Sequence, residues 1–126
     1  MFSKNIFESK QEKWFADLLD RDKDVLRWVR PPIGQMPIAY KGGIYNIDFV
    51  VETRNGKFFA IEIKARHEIS DQDIEAKAKA GIAWCAAMNN ATQQIWEYKL
   101  IPHDVVTPAS SFLGIVSNAV RIALKS

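Results

Sequence analysis

Cysteine is almost missing: Cys85 is the single one in 126 residues. That excludes an internal disulfide framework and any multi-cysteine zinc site, and it fits a reducing cytoplasm. An excess of one charge is also missing. Lys and Arg number 17 against 15 Asp and Glu, a net charge of +2. So balanced a chain is neither histone-like nor a polybasic membrane binder, although a local basic patch on nucleic acid stays compatible with it. No apolar run approaches the roughly 20 residues that span a bilayer. Met1 to Lys13 lacks the continuous apolar stretch of a signal peptide. There is no internal repeat, no low-complexity tract and no Gly/Ser linker. Nor is there a G-x-x-x-x-G-K phosphate loop, so this chain cannot supply an ATP-driven motor.

What is present is ordinary globular material, 48% hydrophobic and 25% charged. Disorder as the main state is excluded, and one domain over residues 1–126 is expected. Ser9 to Leu19 reads as a helix, with Ser9 and Glu12 as a capping box and Trp14, Phe15, Leu18 and Leu19 as its apolar stripe. The charged run Asp20 to Asp24 turns the chain. Val25 to Val29 is a short strand stopped by Pro31 and Pro32, and Gly34 to Gly43 is loop or weak strand. Ile44 to Thr53 and Lys57 to Arg66 are the clearest strands, joined through Asn55-Gly56 into an antiparallel hairpin. Asp71 to Asn89 reads as a long helix with Ile74, Ala78, Gly81, Ile82, Cys85 and Met88 on one face. Ile95 to Ile101 is a strand ended by Pro102. Ser110 to Leu124 is a last helix, with Phe112, Leu113, Val116, Val120 and Leu124 aligned. This order predicts an α/β fold of three layers, a central mixed β-sheet flanked by helices.

The chemistry concentrates in Tyr45 to Arg66. On the return strand Phe59, Ile61, Ile63 and Ala65 share an apolar face. The opposite face reads Phe58, Ala60, Glu62, Lys64, Arg66, apolar at one end and charged at the other. Such a change of character predicts one end buried and one end opening into a cleft. Asp48 sits among strongly apolar neighbours on the partner strand, where an unpaired carboxylate is costly to bury. A metal ion is one way to offset that cost. Asp48 and Glu62 can hold one Mg²⁺, a hard cation suited to a few carboxylates plus water. Lys64 points to the same side as Glu62, placed to orient water or to offset charge on a pentavalent phosphorus. Carboxylates, a metal and a lysine together suit phosphodiester hydrolysis.

Asp48, thirteen intervening residues and then Glu62-Ile63-Lys64 resemble the PD-(D/E)XK nuclease motif. Further segments follow in order: Glu12-Lys13-Trp14-Phe15-Ala16, Tyr45 to Thr53, Ala76 to Ala80, Trp84-Cys85 and Leu100-Ile101-Pro102-His103-Asp104. Together, over residues 8–106, they resemble the C-terminal nuclease domain of type III restriction enzyme Res subunits. The resemblance implies a restriction-endonuclease-like fold and Mg²⁺-dependent DNA cleavage, with Mn²⁺ able to substitute. It implies Asp48 and Glu62 as metal ligands, the carbonyl of Ile63 completing the inner shell, Lys64 as the catalytic lysine and Glu12 as a further acid at the metal. It also implies partners: a helicase or translocase region and a modification methyltransferase subunit. The family's proline before the aspartate is Ile47 here, a position without chemistry.

Each of these residues also has a plainer reading. Asp48, Glu62 and Lys64 form a surface salt-bridge cluster, Glu12 only caps its helix, and Lys77 and Lys79 lie on a solvated helix face. In the sharper reading Lys77 meets a DNA phosphate. Arg66 either meets DNA or pairs with Glu68. His67 and His103 are loop histidines, Cys85 is core, and Trp14, Trp28, Trp84 and Trp96 are core before they are base-stacking. Three functions stay open: a metal-dependent endonuclease, an inert nuclease fold that docks or clamps DNA, and a junction-resolving or repair nuclease that works as a dimer.

Overall fold

The computed structural model describes residues 10–32, 34–40 and 43–120. Helix α1 spans Lys10–Arg21, followed by strands β1 (Val25–Val29), β2 (Pro37–Tyr40), β3 (Gly43–Asn46), β4 (Phe49–Thr53) and β5 (Lys57–Lys64). A 3₁₀ turn at Arg66–Glu68 leads to α2 (Gln72–Thr92), β6 (Ile95–Pro102), a second 3₁₀ turn at His103–Val105 and α3 (Phe112–Ser117). The central sheet has four strands in the order β1-β4-β5-β6. β1/β4 and β4/β5 are antiparallel and β5/β6 is parallel, so the sheet is mixed. The parallel pair needs a crossover, and α2 provides it. β2 and β3 form a separate antiparallel ribbon.

Three layers follow from burying both faces of β5. Phe59, Ile61 and Ile63 point into a core with Phe15, Leu18 and Leu19 of α1 and Phe112 and Ile115 of α3. Phe15 meets Phe49 edge-on at 5.0 Å, and Phe59 meets Phe112 at 5.2 Å. Ala60, on the opposite face, joins Val50, Tyr45, Cys85 and Trp96 beneath α2 and the ribbon. α2 buries only small side chains, Ala78, Gly81 and Cys85, which lets it lie close on the sheet. Asp71 caps its start by accepting from the Asp73 N–H at 2.7 Å.

Three expected elements differ. The strand expected over Ile44 to Thr53 is two strands, with Ile47 and Asp48 between them. There the side chains take over backbone partners: Asn46 Oδ1 accepts from Gly34 N–H at 3.1 Å, and Asp48 Oδ2 from Ile63 N–H at 3.2 Å. The return strand stops at Lys64, which puts Arg66 in the 3₁₀ turn and off the face of Lys64. The last helix ends at Ser117 instead of Leu124. Ser117 Oγ and Asn118 Nδ2 both donate to the Gly114 carbonyl at 2.9 Å, and the Val120 N–H leaves to the Leu100 carbonyl on β6 at 2.9 Å. Its buried residues are Phe112 and Ile115, while Leu113 is 52% exposed. Ser9 and Leu124 lie outside the described residues.

Candidate active site

The register of β4 against β5 pairs Phe49 with Ile61 and Val50 with Ala60. Continued by one residue, it sets Asp48 opposite Glu62. Cross-strand neighbours share a face of the sheet, and so do Glu62 and Lys64, two apart on one strand. The three side chains therefore meet on the α2 side, where β4 begins and β5 ends. Glu62 is 4% exposed and Lys64 is half-buried. Lys64 Nζ lies 3.5 Å from Glu62 Oε2, and the charges of Asp48 and Glu62 act on each other across the pair.

Burial and mutual repulsion dominate the electrostatics. Burial pushes Asp48 up to about 6; the Ile63 N–H and the Lys64 charge oppose that, and Glu12 adds to it. Burial and then the Asp48 charge hold Glu62 well above the usual carboxylate range. Burial works against the Lys64 ammonium, yet Glu62 and Asp48 outweigh it and raise its pKa. Two facing carboxylates are oxygen donors of the kind a hard divalent cation takes together with water, so these residues fit Mg²⁺, and Lys64 stands beside them as a charge and not as a ligand.

This arrangement has a measurable consequence. Because the folded-state pKa of Asp48 lies above the unfolded value, the stabilisation from protonating it is full below 3.8 and is lost as pH rises through about 6. Glu62 acts in the same direction. Metal-free protein is expected to melt at a higher temperature near pH 5 than near pH 8, and Asp48→Asn to flatten the difference. A melting temperature that stays level or rises over that interval contradicts the assignment.

The other expected site residues are dispersed. Glu12 is buried on α1 and its Oε1 accepts from Arg30 Nη1 at 3.1 Å. Among the described residues no three His, Cys, Asp or Glu side chains gather into a metal-holding group. The strand register sets Asp48 opposite Glu62, and Glu12 acts on Asp48 through its charge while it engages Arg30. The Ile63 N–H faces Asp48. Arg66 pairs with Asp104 through two bonds at 2.8 and 2.9 Å, both side chains exposed, instead of with Glu68. Lys77 pairs with Asp73 at 3.4 Å and stands 5.8 Å from the rings of Tyr40 and Tyr45, at the margin of the site. Lys79 pairs with Glu75 on the helix surface.

Sequence reasoning missed Tyr45, Tyr98 and Arg30. The buried Tyr45 hydroxyl donates to Glu62 Oε1 at 2.9 Å and lies 3.2 Å from the Tyr98 hydroxyl. Burial and the Glu62 charge hold the Tyr45 phenol well above its ordinary value, so it stays a donor. Arg30 stacks over Phe49 at 4.8 Å while it engages Glu12. The one usable signal was the alternation Trp96-x-Tyr98-x-Leu100, which puts Tyr98 on the α2 side of a strand beside β5. A cavity of about 510 Å³ lined by Thr53, Arg54, Lys57, Lys99 and Leu113 lies at the other end of the sheet, by the hairpin turn, and includes none of these groups.

Compared with known families, residues 22–107 match the model described as TnsA-like endonuclease N terminal. No curated protein and no solved structure matches the chain. The matched span contains Asp48, Glu62, Ile63, Lys64, Arg66 and Lys77, and leaves out Glu12 and α3.

Proposed function

The chain belongs to the TnsA-like endonuclease N-terminal family, within the restriction-endonuclease-like PD-(D/E)XK superfamily, and from that premise we propose that it hydrolyses DNA phosphodiesters with a divalent metal. The observation that carries the proposal is the meeting of Asp48, Glu62 and Lys64 at one end of the sheet, two carboxylates set opposite by the strand register with an ammonium 3.5 Å from one of them. Two buried acids cost stability when the charge of one raises the pKa of the other, and a bound cation would offset that cost. Asp48 and Glu62 would hold the metal, with the carbonyl of Ile63 as the backbone donor. The metal, Mg²⁺ with Mn²⁺ as substitute, supplies a water of lowered pKa and neutralises phosphate charge.

The chain's own residues do the rest. Glu62 and Asp48 fix the direction from which water approaches the phosphorus. Lys64 hydrogen-bonds that water and offsets the charge that builds on the phosphoryl oxygens. Lys77 is the first phosphate contact beyond the acids, since its ammonium already lies beside Tyr45. Arg66, held by Asp104, is a weaker candidate. With a net charge of +2, affinity for DNA is modest and falls with salt. A translocase and a methyltransferase subunit as partners rest on the Res resemblance alone and form no part of this proposal.

The test is a calorimetric titration of Mn²⁺ into the chain, alone and with a short duplex, together with plasmid cleavage in Mg²⁺ or Mn²⁺. Saturable metal uptake and nicking are expected. Absence of both, with the duplex present, leaves the inert docking module as the answer.

A further inference from the structure

We propose that Tyr45 is a positioning residue for Glu62, braced by Tyr98, which in turn fits against α2 only because position 81 is glycine. The inference rests on the metal-dependent nuclease reading above and adds to it a support for one of the two acids.

The ribbon brings Tyr45 over the sheet, where its side chain is 3% exposed. A phenol has one proton to give. Tyr45 gives its proton to Glu62 Oε1, at 2.9 Å. The contact of 3.2 Å with Tyr98 must then run the other way, with Tyr98 donating to the Tyr45 oxygen. The order Tyr98 to Tyr45 to Glu62 is a directed chain in which each bond polarises the next. It ends on Oε1 and leaves Oε2 turned to Lys64 at 3.5 Å. Glu62 is therefore clamped by a different group on each oxygen. Without the phenol, only the Lys64 side still restrains the carboxylate about its last bond, which is a broad torsion.

Gly81 is an independent sign that the chain is built. Glycine inside a helix is a poorer helix former than alanine. Gly81 has no positive φ to justify it. A Cβ there would stand 2.5 Å from Cδ1 and Cε1 of Tyr98. The helix accepts a poor helix former where the Tyr98 ring needs the space. Tyr98 is held between Gly81 on one side and the Tyr45 hydroxyl on the other.

Three variants test the chain by Mn²⁺ calorimetry on the full chain, read as dissociation constant and stoichiometry. Tyr45→Phe keeps the ring and removes only the donor. It is expected to raise the Kd about 10-fold or more, the usual effect of removing a group that orients a ligand, with stoichiometry unchanged. Tyr98→Phe is expected to raise the Kd by a smaller factor. Gly81→Ala is expected to do the same from behind, by displacing the ring, although no hydroxyl is removed. A role in folding alone would lower the stoichiometry and leave the Kd of the remaining sites as in wild type. That result overturns the proposal, as does a wild-type Kd in Tyr45→Phe. If Tyr45→Phe does not fold, Tyr98→Phe and Gly81→Ala decide by the same two numbers. Failure of the wild-type chain itself to take up Mn²⁺, with or without duplex, overturns the nuclease reading and this inference with it.

Discussion

Asp48→Ala is expected to abolish saturable Mn²⁺ binding and DNA cleavage, and to change stability with opposite signs at low and high pH. The first effect follows from the size of the donor set: of the two facing carboxylates, loss of one leaves only Glu62. The second follows from two opposing terms. Alanine removes the cost of ionising a carboxyl whose pKa stands at about 6 in place of 3.8, worth on the order of 3 kcal/mol at pH 8. It also relieves Glu62, whose elevation has the Asp48 charge as its second cause. Against that, the Ile63 N–H loses the Oδ2 it donates to at 3.2 Å, and an unsatisfied buried donor costs about 1–3 kcal/mol. Near pH 4 most of the penalty on the wild type has faded and the orphaned N–H dominates, so the variant is the less stable protein. Near pH 8, without metal, it equals or exceeds the wild type. Denaturant unfolding at the two pH values reads the crossover directly. An Asp48→Ala protein that still cuts DNA removes Asp48 from the site.

Lys64→Ala separates binding from chemistry. The ammonium is no metal ligand, so Mn²⁺ binding is expected to survive. It weakens near neutral pH, because Glu62 and Asp48 lose the positive charge that favours their ionised forms, and recovers as pH is raised. Cleavage is expected to fall by about 10²–10³-fold even at saturating metal, the range seen when a group that stabilises transition-state charge is removed. Arginine should rescue poorly, because its planar fork is bulkier than the compact ammonium it replaces. Cleavage that returns to the wild-type rate at high metal would reduce Lys64 to a counter-charge for the two acids.

The parts of the site that were legible in the sequence are those joined by one turn. Asn55-Gly56 announced the hairpin, and Gly56 does adopt a φ of 88°. Once β4 and β5 are antiparallel, Asp48, Glu62 and Lys64 come together by register and alternation alone. Tyr45 was hidden because it depends on the chain leaving the sheet at Ile47 and Asp48. That break is decided by two side chains competing for backbone N–H groups, while the β-branched run around them reads as one strand. The Arg66–Asp104 pair depends on the parallel alignment of Lys64 with Pro102, and nothing local specifies a parallel register. Glu12 read equally well as a cap or a ligand. Its partner, Arg30, follows β1 and reaches it only in the folded molecule. The length of α3 was overestimated because apolar spacing continues to Leu124. The helix start is anchored from far away, by Asp22 Oδ2 accepting the Phe112 N–H at 2.8 Å, and its end by the Gly114 carbonyl.

The bond from the Val120 N–H to the Leu100 carbonyl also closes an opening. A four-stranded sheet has two outer strands, here β1 and β6, and each offers unpaired backbone groups to a strand from another molecule. On β6 the chain's own segment already occupies Leu100, so a foreign strand must first displace it. On β1 the register shifts between Val25 and Arg27, and a β-bulge of this kind twists an edge away from flat pairing. Neither border of the sheet is a ready template. The sheet is poorly shaped to grow from one copy of this domain into the next.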